Sequence, residues 1–287
     1  MQSTLNVENL TVKYRNFSIN NITFTLNEGD ILGIAGSNGS GKTTLVETIM
    51  GIRNLFSGNI YYKNINVIDN FSIIKENAMI ISSDIPFFPN MSVIENLELI
   101  CSFCNYKGET IEKLKRVNLL NHKDVLYKNL SKGMKHRLAF AEYLIRKPEL
   151  IIMDEPTEGL DPAFKADVIE ILNSIKEHNG ISTSAILVTH DIDLLSKICT
   201  NIILLSDGKI MDSGKFEEII YKFQESYIIL DSDIQTLRGL VNNFDSYAIP
   251  VGLNSFMLPL KFYDALKDKV NIRKPESQDI FRRDNYV

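Results

Sequence analysis

Three cysteines are all that this 287-residue chain contains. That is too few for a disulfide framework, and it fits a reducing compartment. Cys101 and Cys104 form a lone C-x-x-C with no second pair to complete a zinc site, so they read as two half-buried residues on a helix. Long apolar runs are also missing. None approaches the roughly 20 residues needed to cross a bilayer, and the mean hydropathy is −0.04, so the chain is not expected to span a membrane unaided. Met1 to Leu10 alternate polar and apolar types without a basic head and long apolar stretch, which argues against a cleaved secretion signal. Basic charge is scarce as well. With a net charge of −5 the whole-chain footprint of a nucleic-acid binder is absent, leaving room only for a local basic patch, for example at Lys132, Lys135, His136 and Arg137. There is no internal repeat and no low-complexity segment.

What remains is an ordinary globular composition. Hydrophobic residues at 44% and charged residues at 23% exclude disordered and collagen-like classes. The length suits one large domain with a small appendage. Ile22, Phe24 and Leu26 fall two apart, as on a half-buried strand. Ile31 to Ala35 is a continuous apolar run, the mark of a strand covered on both faces. A glycine-rich loop and a helix over Lys42 to Met50 follow. Ser92 to Lys147 reads as mostly helical. Leu150 to Met153, Ile186 to Val188 and Ile202 to Leu205 are three more buried strands, ending near Asp154, His190 and the turn Ser206-Asp207-Gly208. Strands alternating with helices predict an α/β fold around a mainly parallel sheet, with ligands at the carboxyl ends of its strands. Near Gly214 the texture changes to a small α+β appendage. Its predicted pieces are a helix over Phe216 to Phe223, a strand over Tyr227 to Leu230, a helix over Ile234 to Val241, β pieces over Tyr247 to Val251 and Phe256 to Leu260, and a helix over Ser277 to Arg283.

The chemistry gathers in a few short segments. Gly36-Ser37-Asn38-Gly39-Ser40-Gly41-Lys42-Thr43 satisfies G-x-x-x-x-G-K-[ST]. Its glycines let successive N–H groups turn inward, and these join the positive end of the next helix to cradle phosphates. Lys42 is placed to reach the β- and γ-phosphates, and the Thr43 hydroxyl to ligate Mg²⁺. A plain glycine turn before a helix is the alternative, but the strand–loop–helix context favours the phosphate loop. The strand ending at Asp154 is followed by Glu155. Asp154 fits a carboxylate that holds Mg²⁺, and Glu155 a base that orients the attacking water; alone, the pair also reads as an acidic turn. In the long helical stretch between, Asn129-Leu130-Ser131-Lys132-Gly133-Met134 precedes a helix. Ser131 can cap it and Gly133 leaves room for an anion, while an ordinary cap explains the same residues.

Taken in order, these segments resemble the ATP-binding subunits of ABC transporters over residues 1 to about 215. The resemblance implies a P-loop NTPase fold: a mixed, largely parallel sheet, an antiparallel β subdomain and a helical subdomain over about 84–147. The ATP-binding domain then spans 1–215 and the α+β extension 216–287. ATP and Mg²⁺ are the implied cofactors, with Gly36, Ser37, Asn38, Gly39, Ser40, Gly41, Lys42, Thr43 and Thr44 on the nucleotide. Leu130 to Met134 is similar to the family's signature, usually L-S-G-G-Q. By that likeness Ser131 and Gly133 contact the γ-phosphate of a second ATP-binding subunit in a head-to-tail dimer, most simply a homodimer. Glu155 is then the catalytic base and Lys42 a catalytic cation. His190 is a switch histidine at the γ-phosphate, although alone it reads as a packed strand-end histidine. Asp161 is a dimer-interface aspartate. Tyr14 sits where an aromatic residue stacks on adenine, an ordinary strand tyrosine being the alternative.

Two departures stand out. Lys132 and Met134 replace a Gly and a Gln of the signature, and S-K-G-M resembles the version in ABC-2 type exporters of drugs, bacteriocins and other peptides. The family also usually has a Gln after the strand near Met79 to Ile81; here the segment is Ser82-Ser83-Asp84-Ile85-Pro86-Phe87-Phe88-Pro89. Asp84 offers a carboxylate for Mg²⁺ in its place. Phe87, Phe88 and Met91 beside it either pack the helical subdomain or receive a helix from a membrane partner. The function implied is ATP hydrolysis that drives a separately encoded, ABC-2-like permease, with export preferred to import. The subunit is expected on the cytoplasmic face of the cell membrane, with no nucleic-acid partner. The rival is a soluble ABC ATPase acting on ribosomes or DNA, disfavoured by the single ATP-binding domain and the acidic charge.

Overall fold

Two antiparallel sheets flank a central, mostly parallel one in this computed structural model, which describes residues 2–14, 17–82, 87–177, 183–232, 235–236, 248–252 and 255–281. The first sheet pairs β1 (Ser3–Lys13) with β2 (Ser18–Asn27) on one side and with β4 (Ser57–Tyr62) on the other, and β4 pairs with β5 (Ile65–Asn66). Leu5, Val7, Leu10 and Val12 of β1 are buried. Their period slips at Asn9, whose φ of 50° opens a bulge between Val7 and Leu10. Side-chain bonds fill the interrupted ladder: Asn9 N donates to Thr23 Oγ1 at 2.9 Å and Asn21 N to Thr11 Oγ1 at 3.1 Å.

The central sheet contains β3 (Ile31–Ala35), β6 (Ala78–Ile81), β7 (Leu150–Asp154), β8 (Ser184–Val188), β9 (Asn201–Ser206) and β10 (Lys209–Gly214), in the order β10-β9-β3-β8-β7-β6. All pairings are parallel except β9 with β10. That hairpin turns on Asp207-Gly208, both left-handed (φ 46° and 69°), as a type I′ turn demands. β3 lies between β8 and β9, so the loop leaving it opens into the crevice at the carboxyl edge of the sheet.

Alternate residues of each central strand point to opposite cores. Leu32, Ile34, Ile152, Ile186 and Val188 face α1 (Lys42–Ile49) and the first sheet. Ile31, Ala35, Ile151, Met153 and Leu187 face a helical layer. That layer includes α3 (Val93–Phe103), α4 (Thr110–Arg116), α5 (Lys132–Arg146), α6 (Pro162–Glu177) and α7 (Ile192–Ile198); α2 (Ser72–Asn77) precedes β6. The third sheet, ordered β12-β13-β11-β14, follows α8 (Phe216–Ser226). It is built from β11 (Tyr227–Asp231), β12 (Ile249–Gly252), β13 (Ser255–Pro259) and β14 (Asn271–Arg273), with α9 (Tyr263–Leu266) and α10 (Ser277–Phe281). Ile229, Met257 and Ile280 extend the helical-layer core, whereas Ile228, Leu230, Leu258 and Leu266 form a small core of their own. The appendage thus shares apolar surface with the ATP-binding part. Most of the helix expected over Ile234 to Val241 lies outside the described residues, as do Tyr247, Arg282 and Arg283.

Candidate functional site

The phosphate loop runs from the end of β3 to the start of α1. Gly36 packs so closely that a Cβ there would stand 2.1 Å from the Leu205 carbonyl oxygen, so no other residue fits without displacing β9. Gly41 holds φ at 105° in the N-cap position and offers no side-chain cap. The first N–H groups of α1 are therefore left for an anion. Lys42 folds back over the loop, where its Nζ donates to the carbonyls of Gly36 and Ser37, both at 2.8 Å. Thr43 Oγ1 donates to Asp154 Oδ2 at 3.0 Å, joining the start of α1 to the end of β7. An open cleft of about 490 Å³ is lined by Phe17, Asn38, Gly39, Gly41, Lys42, Thr43, Thr44, Asp154 and Glu155.

Glu155 is held from three directions. Its φ is 50°, and its N–H donates to the Val188 carbonyl at 2.8 Å, extending the β7–β8 pairing by one bond. Oε2 accepts from Thr189 Oγ1 at 2.8 Å; Oε1 accepts from the His190 N–H at 3.1 Å and lies 2.8 Å from His190 Nδ1. A glutamate in the left-handed region is uncommon and persists where the surroundings fix it. The His190 side chain is exposed, so the reading of a histidine packed in the core is corrected: the ring stands at the site and touches the acid.

Charge balance in the cleft favours a cation. Burial lowers the Lys42 pKa, while Glu155 and Asp154 hold it up. Burial likewise raises the Asp154 pKa, with Glu155 adding to the rise, against the Thr43 hydrogen bond and Lys42. Two carboxylates thus share one lysine. Among the described residues no group of three His, Cys, Asp or Glu forms a protein-only metal cage. A hydroxyl and one carboxylate instead suit Mg²⁺, which keeps waters and phosphate oxygens as its other ligands.

The signature segment is not part of the cleft lining. Ser131 caps α5, its Oγ accepting from Met134 N at 3.2 Å. Gly133 lies against Gly159, where a Cβ would come 3.0 Å from the carbonyl oxygen. The residues that could form a local basic patch on α5 are engaged within the chain. Lys132 pairs with Glu158 at 2.8 Å, Arg137 with Asp161 at 2.5 Å, Lys135 lies 5.0 Å over the Tyr127 ring, and His136 is 1% exposed. Asp161 also caps α6, accepting from Phe164 N at 3.0 Å.

Tyr14 is not among the cleft-lining residues, although its N–H donates to the carbonyl of Phe17, which is, at 2.8 Å. The Tyr14 hydroxyl accepts from Arg53 Nη1 at 3.1 Å, and the guanidinium lies 5.6 Å over the Tyr14 ring. Phe17 is the aromatic residue that lines the cleft, with a ring edge so near Gly41 that a Cβ there would meet it at 2.9 Å. Sequence reasoning missed Phe17, although it lies three residues after Tyr14 and immediately precedes β2, beside the loop. It also missed Thr189, next to His190. Asp84 lies outside the described residues.

Comparison with known proteins converges on one family. The ABC transporter family model matches residues 19–158, which include the phosphate loop, the signature and the Asp154-Glu155 pair. The energy-coupling factor transporter ATP-binding protein EcfA of Pediococcus pentosaceus is 30% identical over 258 residues, covering 86% of this chain and 88% of that protein. The methionine import ATP-binding protein MetN 1 of Oenococcus oeni is 27% identical over 277 residues, covering 90% and 78%. Among solved structures, the dimeric ATP-binding cassette MJ0796 bound to ADP and phosphate superposes with a TM-score of 0.65 at 26% identity, covering 74% of this chain and 98% of that one. The cbiO1 protein of Clostridium perfringens, part of the cbiONQ transporter complex, superposes with a TM-score of 0.62 at 27% identity, covering 78% and 95%. With the phosphate loop, the acid pair and the sheet order in place, this chain belongs to the family of ABC transporter ATP-binding subunits and is an ATPase.

Proposed function

We propose that this subunit hydrolyses ATP to drive a separately encoded permease of the ABC-2 type, and that the transporter exports peptides, bacteriocins or drugs. The observation that carries the hydrolytic part is Glu155, fixed by Thr189 and His190 beside the Thr43–Asp154 contact. On nucleotide binding, Lys42 exchanges two neutral carbonyls for phosphate oxygens, gaining charge-assisted bonds. Thr43 and Asp154 would hold Mg²⁺, which would supply neutralisation of phosphate charge. Glu155 accepts a proton from the water that attacks the γ-phosphorus, and His190 holds the carboxylate in aim. Two such subunits, a homodimer in the simplest case, close on two ATP molecules, with Ser131 and Gly133 of one facing the nucleotide of the other. Asp84 is kept as a candidate oxygen ligand to the metal.

The permease contact is placed at a groove of about 380 Å³ between β6, α3 and α5. Phe88 and Phe103 are 54% and 77% exposed on it, and Glu142 and Arg146 also line it. Phe87 also lines it but is buried, 5.3 Å from Tyr127, and packs into the helical layer. No helix among the described residues is long and apolar enough to cross a membrane, so the subunit reaches the cytoplasmic face of the membrane through this partner. Nucleic acid is not a partner on this reading, which rests on the net charge of −5.

The export direction rests on Ser131-Lys132-Gly133-Met134. The curated relatives named above include an import protein, and likeness at this level carries the cassette rather than the cargo. Glu155→Gln is expected to trap an ATP-bound dimer in size-exclusion chromatography; a variant that stays monomeric, or turns over at the wild-type rate, rejects the assignment of the base. Direction is decided in vesicles holding the permease. ATPase stimulation by peptides or drugs offered on the cytoplasmic side supports export, and stimulation only from the opposite side makes the transporter an importer.

A further inference from the structure

Helix α5 grips the loop that follows Glu155 at two charged points. At the first, Lys132 Nζ stands 2.8 Å from Glu158 Oε2. At the second, Arg137 Nη2 stands 2.5 Å from Asp161 Oδ2, its Nη1 donates to the Val117 carbonyl at 3.1 Å, and its guanidinium lies 3.8 Å over the Phe164 ring. Between these points the two backbones nearly touch at Gly133 and Gly159. The gripped loop carries the base, because the Glu158 N–H donates to the Glu155 carbonyl at 3.1 Å. Glu155 is therefore tethered on one side by Thr189 and His190 and on the other by helix α5.

The two grips differ in permanence. Arg137 is 13% exposed and multiply bonded, which makes it a fixed pivot. Lys132 and Glu158 are 44% and 51% exposed, and a pair so placed is weak enough to break and reform as the helix shifts.

We propose that Lys132 and Glu158 are a positioning pair for hydrolysis, registering the Glu155 loop against the signature helix so that movement of α5 re-aims the carboxylate. This rests on Glu155 being the base. Neither residue lines the nucleotide cleft, so the pair acts on turnover and not on ATP affinity.

The test compares steady-state ATPase kinetics and nucleotide affinity of the full chain with Lys132→Met, Glu158→Gln and the exchanged pair Lys132→Glu/Glu158→Lys. Each single variant is expected to lower kcat about two- to fivefold, the range open to an exposed ion pair, with KM and affinity for a fluorescent ATP analogue unchanged. The exchanged pair is expected to recover most of the lost kcat. Single variants with full kcat overturn the proposal, and so does a rise in KM, which makes Lys132 a nucleotide contact. An exchanged pair that regains thermal stability but not kcat also overturns it, because hydrolysis then needs the ammonium itself. Glu155→Gln is the control. If that variant turns over normally, the underlying assignment fails. If it is inactive while the single variants keep full kcat, only the positioning pair fails.

Discussion

The carboxyl edge of the central sheet and the C-terminal sheet treat their charged groups in opposite ways. At the central edge, Lys42 is held by two neutral carbonyls, and the buried Ser40 hydroxyl has no hydrogen-bond partner among the described residues. In the C-terminal sheet, Arg273 is saturated. Its two terminal nitrogens grip Asp279 at 2.5 and 2.8 Å, its Nε lies 3.1 Å from Asp231, and Asp279 accepts the Glu276 N–H at 2.8 Å. That grip raises the guanidinium pKa above its ordinary range. A ligand site keeps polar groups on partners that a ligand can replace, whereas a scaffold uses up its bonding capacity. The contrast separates function from support without reference to motif.

The largest effect that bears on this contrast is at Lys42. Lys42→Ala removes the cation that exchanges partners, and nucleotide affinity is expected to fall about a hundredfold or more, measured by titration with a fluorescent ATP analogue. Thermal stability should barely move, since only neutral bonds to a loop are lost. A variant that keeps its affinity breaks the functional half of the comparison. Asp279→Ala is the converse. It strands Arg273, a third exposed, beside a 5% exposed hole. With solvent screening discounted, stability is expected to fall by about 2–3 kcal/mol in urea unfolding, while the folded protein keeps its ATP affinity. Lost affinity in the folded variant would show that the C-terminal sheet reaches into the site.

Legibility in the sequence follows the same divide. The buried parallel strands read plainly, because Ile31 to Ala35 and Leu150 to Met153 are apolar on both faces. The phosphate loop read plainly because its chemistry is local: eight consecutive residues carry it. The first sheet read poorly because Asn9 and Asn21 bulge its two long strands and break their alternation. β14 has only three residues, too few to show a period, and its place is set by antiparallel pairing with the distant β11. Glu158 and Asp161 lie far along the chain from Lys132 and Arg137, so no local pattern announced either pair. His136 shows the same limit. Beside three cations it read as surface charge, yet packing buries it, and only the fold says which face of α5 is covered.

That burial makes a smaller, pH-dependent prediction. His136 is 1% exposed, and its ring nitrogens lie near Glu158 without reaching hydrogen-bond geometry. Burial, aided by Lys132, lowers its pKa from 6.5 against the opposing pull of Glu158. Below about pH 6.5 the unfolded chain therefore binds a proton that the native state refuses, and stability drops as the pH falls through that value. His136→Gln should remove this part of the acid sensitivity, seen as a smaller difference in urea midpoint between pH 7.5 and pH 5.5. An unchanged difference would return His136 to the solvent-facing group of the sequence reading.

The smallest effect concerns two aromatic residues, Phe17 and Tyr14. Phe17 lines the cleft, whereas Tyr14 is engaged by Arg53. An aromatic face on a nucleotide contributes about 0.5–1.5 kcal/mol. Phe17→Ala should therefore weaken ATP binding about three- to tenfold, and Tyr14→Ala less than about twofold, since its ring is already occupied by a cation. The reverse order would carry a structural meaning. Tyr14 would have to leave Arg53 when ATP arrives, exchanging one partner for another as proposed for Lys42. It would then belong with the replaceable contacts of the site, and Phe17 with the packing behind Gly41.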